Sequence, residues 1–203
     1  PLSGYNAFSG DKVFVALTEH FGGSWGEARL SSLGSAVGSA EWQRKARDAN
    51  NVSPRLETHD RFGNRRDVVE FHPAYHELMT LGLESGAAAF AWEPMHRGRA
   101  GSHVIRGALM YLMYQLNPGV CCPITMTFAA TPAIEAGIRG KSETPFFEEI
   151  LEKLRKPGYS GANVPIHDKP AVTVGMSMTE KQGGSDVRAN TTYATPVHSG
   201  NNS

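Results

Sequence analysis

Gly183-Gly184-Ser185 is where the chain's chemistry is densest. Two glycines let the backbone come close to a bound group, and the local N–H groups with the Ser185 hydroxyl could hold phosphate oxygens. The residues leading into this tripeptide alternate. From Ala171 to Thr179, Val172, Val174, Met176 and Met178 make one apolar face, while Thr173, Gly175, Ser177 and Thr179 make a face of small and hydroxylated groups. The pattern predicts a strand ending in a tight turn, with a flat face on which something planar could lie. The tripeptide alone is weak evidence, because most such tripeptides are ordinary turns. It is not a P-loop, because no Gly-Lys-Ser/Thr follows a four-residue spacer, and it is not a G-x-G-x-x-G fingerprint.

Other reactive side chains are better read structurally. His72 and His76 have the four-residue spacing of a helical metal pair, but His72 falls at a cap beside Pro73 and no third ligand is evident, so no metal site is expected. Cys121 and Cys122 are adjacent, a strained geometry for a disulfide, and read as two reduced thiols in a reducing compartment such as cytoplasm or mitochondrial matrix. Arg61, Arg65 and Arg66 could touch a phosphate, yet Asp60, Asp67 and Glu70 balance them in what reads as an exposed loop.

Composition narrows the class. Twenty Lys and Arg against twenty Asp and Glu give a net charge of zero, so no global basic field draws nucleic acid. The 40% hydrophobic fraction is that of an ordinary globular chain. No apolar run reaches the roughly 20 residues of a membrane span. No signal peptide opens the chain, and Pro1 in place of Met suggests that the natural polypeptide starts earlier.

The elements that must position the turn are mostly helices. Val13, Phe14, Ala16, Leu17 and Phe21 make a first stripe ending at Gly22-Gly23. Ser24 and Glu27 fit a capping box, and the helix they open carries Leu33 and Val37 and stops at Gly38. Trp42, Ala46 and Ala49 mark the next helix. Arg55 to Glu70 breaks the pattern, and Gly63-Asn64 suggests a small hairpin. Pro73 opens a helix through Leu83, and Ser102 to Leu116 is apolar nearly all round, as in the middle of a bundle; Pro118-Gly119 is read as its end. Ile124 to Ile134 is apolar but rich in small residues. Thr144-Pro145 caps a last helix, and Gly158 to Pro170 is a linker to the β segments Ala171–Thr179 and Val187–Val197. The expected fold is therefore mainly α, with a helical bundle domain over residues 1–160 and the first strands of a β domain over residues 161–203. Two strands cannot bury their faces alone, and the polar turn Val197–Ser203 points to a further strand, so that β domain is expected to be cut off.

Thr179-Glu180-x-x-x-Gly184-Ser185-Asp186 resembles the Thr-Glu-Pro-x-x-Gly-Ser-Asp signature of acyl-CoA dehydrogenases. The longer run Met178 to Val187 with Asn190-Thr191-Thr192, the run Cys122 to Pro132 and the run Phe71 to His76 resemble segments of that family's AidB branch, in the same order. Lys181 stands where most of the family has Pro, which pulls the match toward that branch.

The resemblance implies FAD as cofactor and α,β-dehydrogenation of an acyl-CoA thioester. It implies a cofactor site over Met176, Ser177, Met178, Thr179, Glu180, Lys181, Gln182, Gly183, Gly184 and Ser185, with Ser185, Met126 and Phe128 toward the acyl-CoA. Met126 and Phe128 are equally able to fill a core. Glu180 and Asp186 are expected to fix the turn rather than move protons. The family's catalytic carboxylate comes from a C-terminal helical domain, so no catalytic residue is expected here and the chain alone is expected to be inactive. The family also implies a homotetramer. Other readings are a non-enzymatic binder of acyl-CoA or a fatty acyl chain, a DNA-damage-associated flavoprotein contacting nucleic acid through segments absent here, and a plain helical scaffold.

Overall fold

The computed structural model describes residues 3–141 and 144–195. In chain order the helices are α1 (Lys12–His20), α2 (Glu27–Val37), α3 (Ala40–Asn51), α4 (Pro73–Glu84), α5 (Ser102–Leu116), α6 (Pro118–Ile138) and α7 (Pro145–Leu154). Strands β1 (Arg55–His59) and β2 (Arg65–Glu70) form an antiparallel hairpin between α3 and α4. The mainly helical class is as expected.

Because α5 is apolar on nearly every face, it has to sit inside, and it touches α1, α2, α3, α4 and α6. Ile105, Leu109, Leu112 and Met113 are 0% exposed, each burial worth about 1.5–3 kcal/mol. In the hairpin, Arg55 pairs with Glu70 and Leu56 with Val69. At its tip the Asp60 carboxylate accepts from the N–H groups of Phe62 (2.8 Å) and Asn64 (2.9 Å), and Gly63 adopts φ 85°. Arg65 pairs with Asp67 and Arg55 with Glu70, so acidic partners do balance this region.

Three local expectations give way to packing. Ser24 does not cap α2; Ser24–Gly26 is a 3-10 turn and α2 starts at Glu27. The turn is held from outside, since Trp25 Nε1 donates to the Ala100 carbonyl (3.0 Å) and a Cβ on Gly26 would lie 2.6 Å from the Ile105 side chain. Pro118-Gly119 opens α6 rather than merely ending α5. Asn117 is the cap, its Oδ1 accepting from Val120 N (3.2 Å), with Pro118 in the first turn. Thr144 precedes α7 but its hydroxyl donates to Glu148 Oε1 (3.0 Å) instead of capping.

Pro123 and Pro132 both lie inside α6. Pro132 has no N–H to give the Phe128 carbonyl four residues back. The indole N–H of Trp92 fills that gap at 3.0 Å, and its ring stacks on Phe128 with centroids 5.1 Å apart. Cys121 is buried on this helix, which pushes its thiol up to about 11, while Cys122 is exposed, and both are free thiols.

The N-terminal segment lies across α2 at two glycines. Gly4 N donates to Gly38 O (2.8 Å) and Ala7 N to Gly34 O (2.9 Å). A Cβ on Gly38 would overlap the Tyr5 carbonyl. Gly38→Ala should therefore destabilise the protein by about 1–3 kcal/mol through overpacking, read as a lower denaturation midpoint.

Glu135 on α6 ties two distant segments together. Arg97 donates to both carboxylate oxygens at 2.7 Å, and Arg155, beyond α7, donates at 2.6 Å. The Arg97 hydrogen bonds, followed by those of Arg155, lower the carboxyl from 4.5 to about 2. A carboxyl depressed on folding stabilises fully above its unfolded value and loses that contribution as pH falls through the folded one. The Tm difference between wild type and Glu135→Gln should accordingly shrink as pH drops from 4.5 toward about 2.

Candidate functional site

The linker after α7 is fastened before the candidate site begins. Lys153 Nζ bonds Glu149 (2.7 Å), as its i,i+4 spacing predicts, and also the carbonyls of Ile166 (2.7 Å) and His167 (3.1 Å). Ala171 and Val172 are buried. Val174 N then donates to Thr127 Oγ1 on α6 at 3.1 Å, while the same hydroxyl donates to Pro123 O at 2.7 Å.

From here the structure departs from the expected strand. Among the described residues Ala171 to Thr179 forms no ladder, and the bridge recorded nearby is the isolated Glu180–Gly183 pair. Alternation specifies two faces but supplies no neighbouring backbone, and among the described residues no strand lies beside this one. Only the first part of the apolar face is covered, leaving Met176 60% and Met178 46% exposed. The expected second strand instead opens as a 3-10 turn, Val187–Ala189. Pro196 and Val197, and the polar turn Val197–Ser203, lie outside the described residues.

Side chains do the pairing that a ladder would have done. Asn190 Nδ2 donates to Met178 O at 2.6 Å. The Glu180 carboxylate accepts from Thr191 N (2.9 Å), Thr192 N (2.8 Å), Thr191 Oγ1 (3.3 Å) and Gln182 Nε2 (3.1 Å). The hydrogen bonds from the Thr191–Thr192 segment, followed by that of Gln182, lower the Glu180 carboxyl to about 2. It is an anion whose hydrogen bonds fix the turn.

The turn closes through Gly183 N to Glu180 O (3.0 Å), with Gly183 at φ 126°, a conformation that suits glycine. A Cβ on Gly184 would sit 3.1 Å from Thr179 Oγ1, so a side chain there would crowd that hydroxyl. Ser177, Lys181, Gln182 and Ser185 are exposed around the turn. The arrangement is an exposed apolar edge, a hydroxyl and a glycine cradle within one short loop. These are groups that could receive an aromatic ring with a phosphate tail.

Met126 and Phe128 flank Thr127 on α6 and are half-buried. Phe128 is engaged by Trp92 and by the Arg106 guanidinium, 3.8 Å from its ring centroid, so it packs the bundle. Burial lowers the Arg106 pKa; Nε donates to Ala87 O at 2.9 Å, and Nη2 has no partner. His72 caps α4, Nδ1 accepting from Ala74 N (3.2 Å), and His76 Nδ1 meets Tyr159 OH at 2.7 Å. Among the described residues no group of three or more His, Cys, Asp or Glu is placed to hold a metal ion, and no helix is long and apolar enough to cross a membrane. Sequence reasoning assigned no role to Thr127 or Asn190.

Comparison with known proteins places the bundle and turn among acyl-CoA dehydrogenase homologues. The model of the "Adaptive response protein AidB N-terminal domain" matches residues 1–160, and the chain belongs to that family. The putative acyl-CoA dehydrogenase AidB of Escherichia coli (strain K12) is 36% identical over 200 residues, covering 98% of this chain and 36% of that protein. Acyl-CoA dehydrogenase family member 11 of Caenorhabditis elegans is 30% identical over 176 residues, covering 84% of this chain and 26% of that one. The chain thus spans about a third or less of the length of these curated relatives. The crystal structure of C. elegans ACDH-11 in complex with C11-CoA superposes with TM-score 0.71 at 25% identity, over 91% of this chain and 30% of that one. The apo form of Bd2924 gives 0.73 at 21% identity, over 97% and 37%, and shows the fold alone.

Thr127→Val keeps the side-chain shape and removes both bonds of the hydroxyl. Leaving the Val174 N–H unpaired should cost about 1–3 kcal/mol and speed hydrogen exchange at that amide, with helix content unchanged by circular dichroism.

Proposed function

We propose that this chain supplies the helical wall and the flavin-facing turn of a longer, FAD-dependent acyl-CoA dehydrogenase-like flavoprotein, acting by α,β-dehydrogenation of an acyl-CoA thioester. The observation that carries the reading is the pre-shaped loop from Met176 to Ser185, with exposed methionines and a glycine cradle beside Thr179. The curated relatives named as acyl-CoA dehydrogenases and the ACDH-11 complex with C11-CoA support it. In this reading residues 1–160 are a helical domain and residues 161–203 begin a β domain.

FAD, when bound, supplies the two-electron acceptor for the dehydrogenation. This chain's part is to hold and orient. Met178 and Thr179 lie against the ring, Thr179 bonding its polar edge. Ser185 and the Gly184 N–H would take the pyrophosphate, while the Gly183 N–H stays on Glu180 O to hold the turn, and Ser185 would also turn toward the CoA. Thr127 fixes the height of this loop on α6 through Val174. Met126, half-buried beside Thr127, bounds the acyl chain better than Phe128, whose ring is already occupied. No residue of the chain is assigned the proton-abstracting role. A homotetramer belongs to the same reading, supported by the exposed Val13, Leu17, Phe21 and Tyr111 along the α1–α5 groove.

The test is FAD content and visible spectrum of the full-length protein after dialysis. Thr179→Ala should weaken retention by about 1 kcal/mol or shift the spectrum, from the loss of a neutral hydrogen bond. Ser185→Ala should weaken it roughly twice as much, from the loss of a bond to a charged phosphate. His72→Ala removes only a helix cap, so it should cost about 0.5–2 kcal/mol of stability and leave the spectrum alone. Wild-type occupancy in both loop variants would remove the reason for placing flavin here.

A further inference from the structure

Among the described residues no sheet holds the loop that carries Glu180, and its carboxylate takes each of its hydrogen bonds there from a neutral donor. Oε1 accepts from Thr192 N at 2.8 Å; Oε2 accepts from Thr191 N at 2.9 Å, Thr191 Oγ1 at 3.3 Å and Gln182 Nε2 at 3.1 Å. Those donors lie on both arms of the loop, so one side chain pins residues 191–192 against the start of the turn. Asn190 repeats the clamp a step away. Its Nδ2 holds Met178 O at 2.6 Å, and its Oδ1 meets Gln182 Nε2 at 3.4 Å. Met178 and Thr179 are thereby caught between two fixed points, Thr127 upstream and the Glu180–Asn190 clamp downstream.

We propose that Glu180 is a positioning residue that locks the Met178–Ser185 loop into its binding shape before any cofactor arrives, with Asn190 as its second fastening. The inference rests on the flavin reading for its effect on FAD, but not for the clamp itself. A loop that is already ordered loses less conformational freedom on binding, so the clamp strengthens binding without touching the ligand. Shape matters less here than acceptor capacity. Glutamine has the same length, but one of its two terminal atoms is an NH₂ donor that would face another N–H group.

The experiment compares wild type, Glu180→Gln and Asn190→Ala in the full-length protein, with two readouts. The first is hydrogen exchange of the peptide spanning residues 188–195 in flavin-free protein. The second is FAD affinity. Glu180→Gln should speed exchange about tenfold and weaken FAD about tenfold, and Asn190→Ala should do both to a smaller degree, with the bundle's Tm unchanged. Unchanged exchange in Glu180→Gln would overturn the clamp. Faster exchange with wild-type FAD affinity would overturn its positioning role. Faster exchange in a protein whose wild type binds no FAD would support the clamp and overturn the flavin reading instead.

Discussion

An extended segment with no strand beside it among the described residues takes partners for its backbone elsewhere, and the hydroxyl of Thr127 is where this one begins to do so. It gives its proton to Pro123 O within its own helix and accepts the N–H of Val174 from outside it. Thr127 is 3% exposed, so this bond is shielded from competing water. The helix that holds it is itself braced against α5, whose burial organises the bundle. The location of the loop thus follows from the core, through one oxygen atom used in both directions.

The loop then stays ordered by a different device. Strands share order through repeated backbone bonds, each weak and each helped by its neighbours. The segment from Met178 to Thr192 concentrates the task in Glu180 and Asn190. Concentration makes the loop sensitive to single substitutions, because two side chains carry what a ladder would spread over many bonds.

What could be read in the sequence was whatever is decided locally. The bounds Ser102–Leu116 of α5, the stop of α2 at Gly38, the start of α4 at Pro73 and the hairpin around Gly63-Asn64 all follow from periodicity or from a punctuating residue. The tight turn at Gly183-Gly184 was legible for the same reason. Among the described residues Ala171–Thr179 forms no ladder, because alternation records which side is apolar, whereas a strand exists only with a neighbour. The Ser24 cap failed because Ile105, far along the chain, claims the space over Gly26. The Thr127–Val174 bond spans 47 residues, and no local pattern announces it.

Pro132, the second proline inside α6, has a consequence for how this sequence can vary. Pro132 withholds a donor from Phe128 O, and Trp92, forty positions earlier on another segment, supplies one. A change at residue 92 alone strands a carbonyl inside the bundle. A change at residue 132 alone gives that carbonyl two donors and makes the indole redundant. The two positions therefore form an epistatic pair, in which the cost of altering one depends on the state of the other. Among related sequences, substitutions at these two sites should travel together even though the residues are never neighbours in the chain.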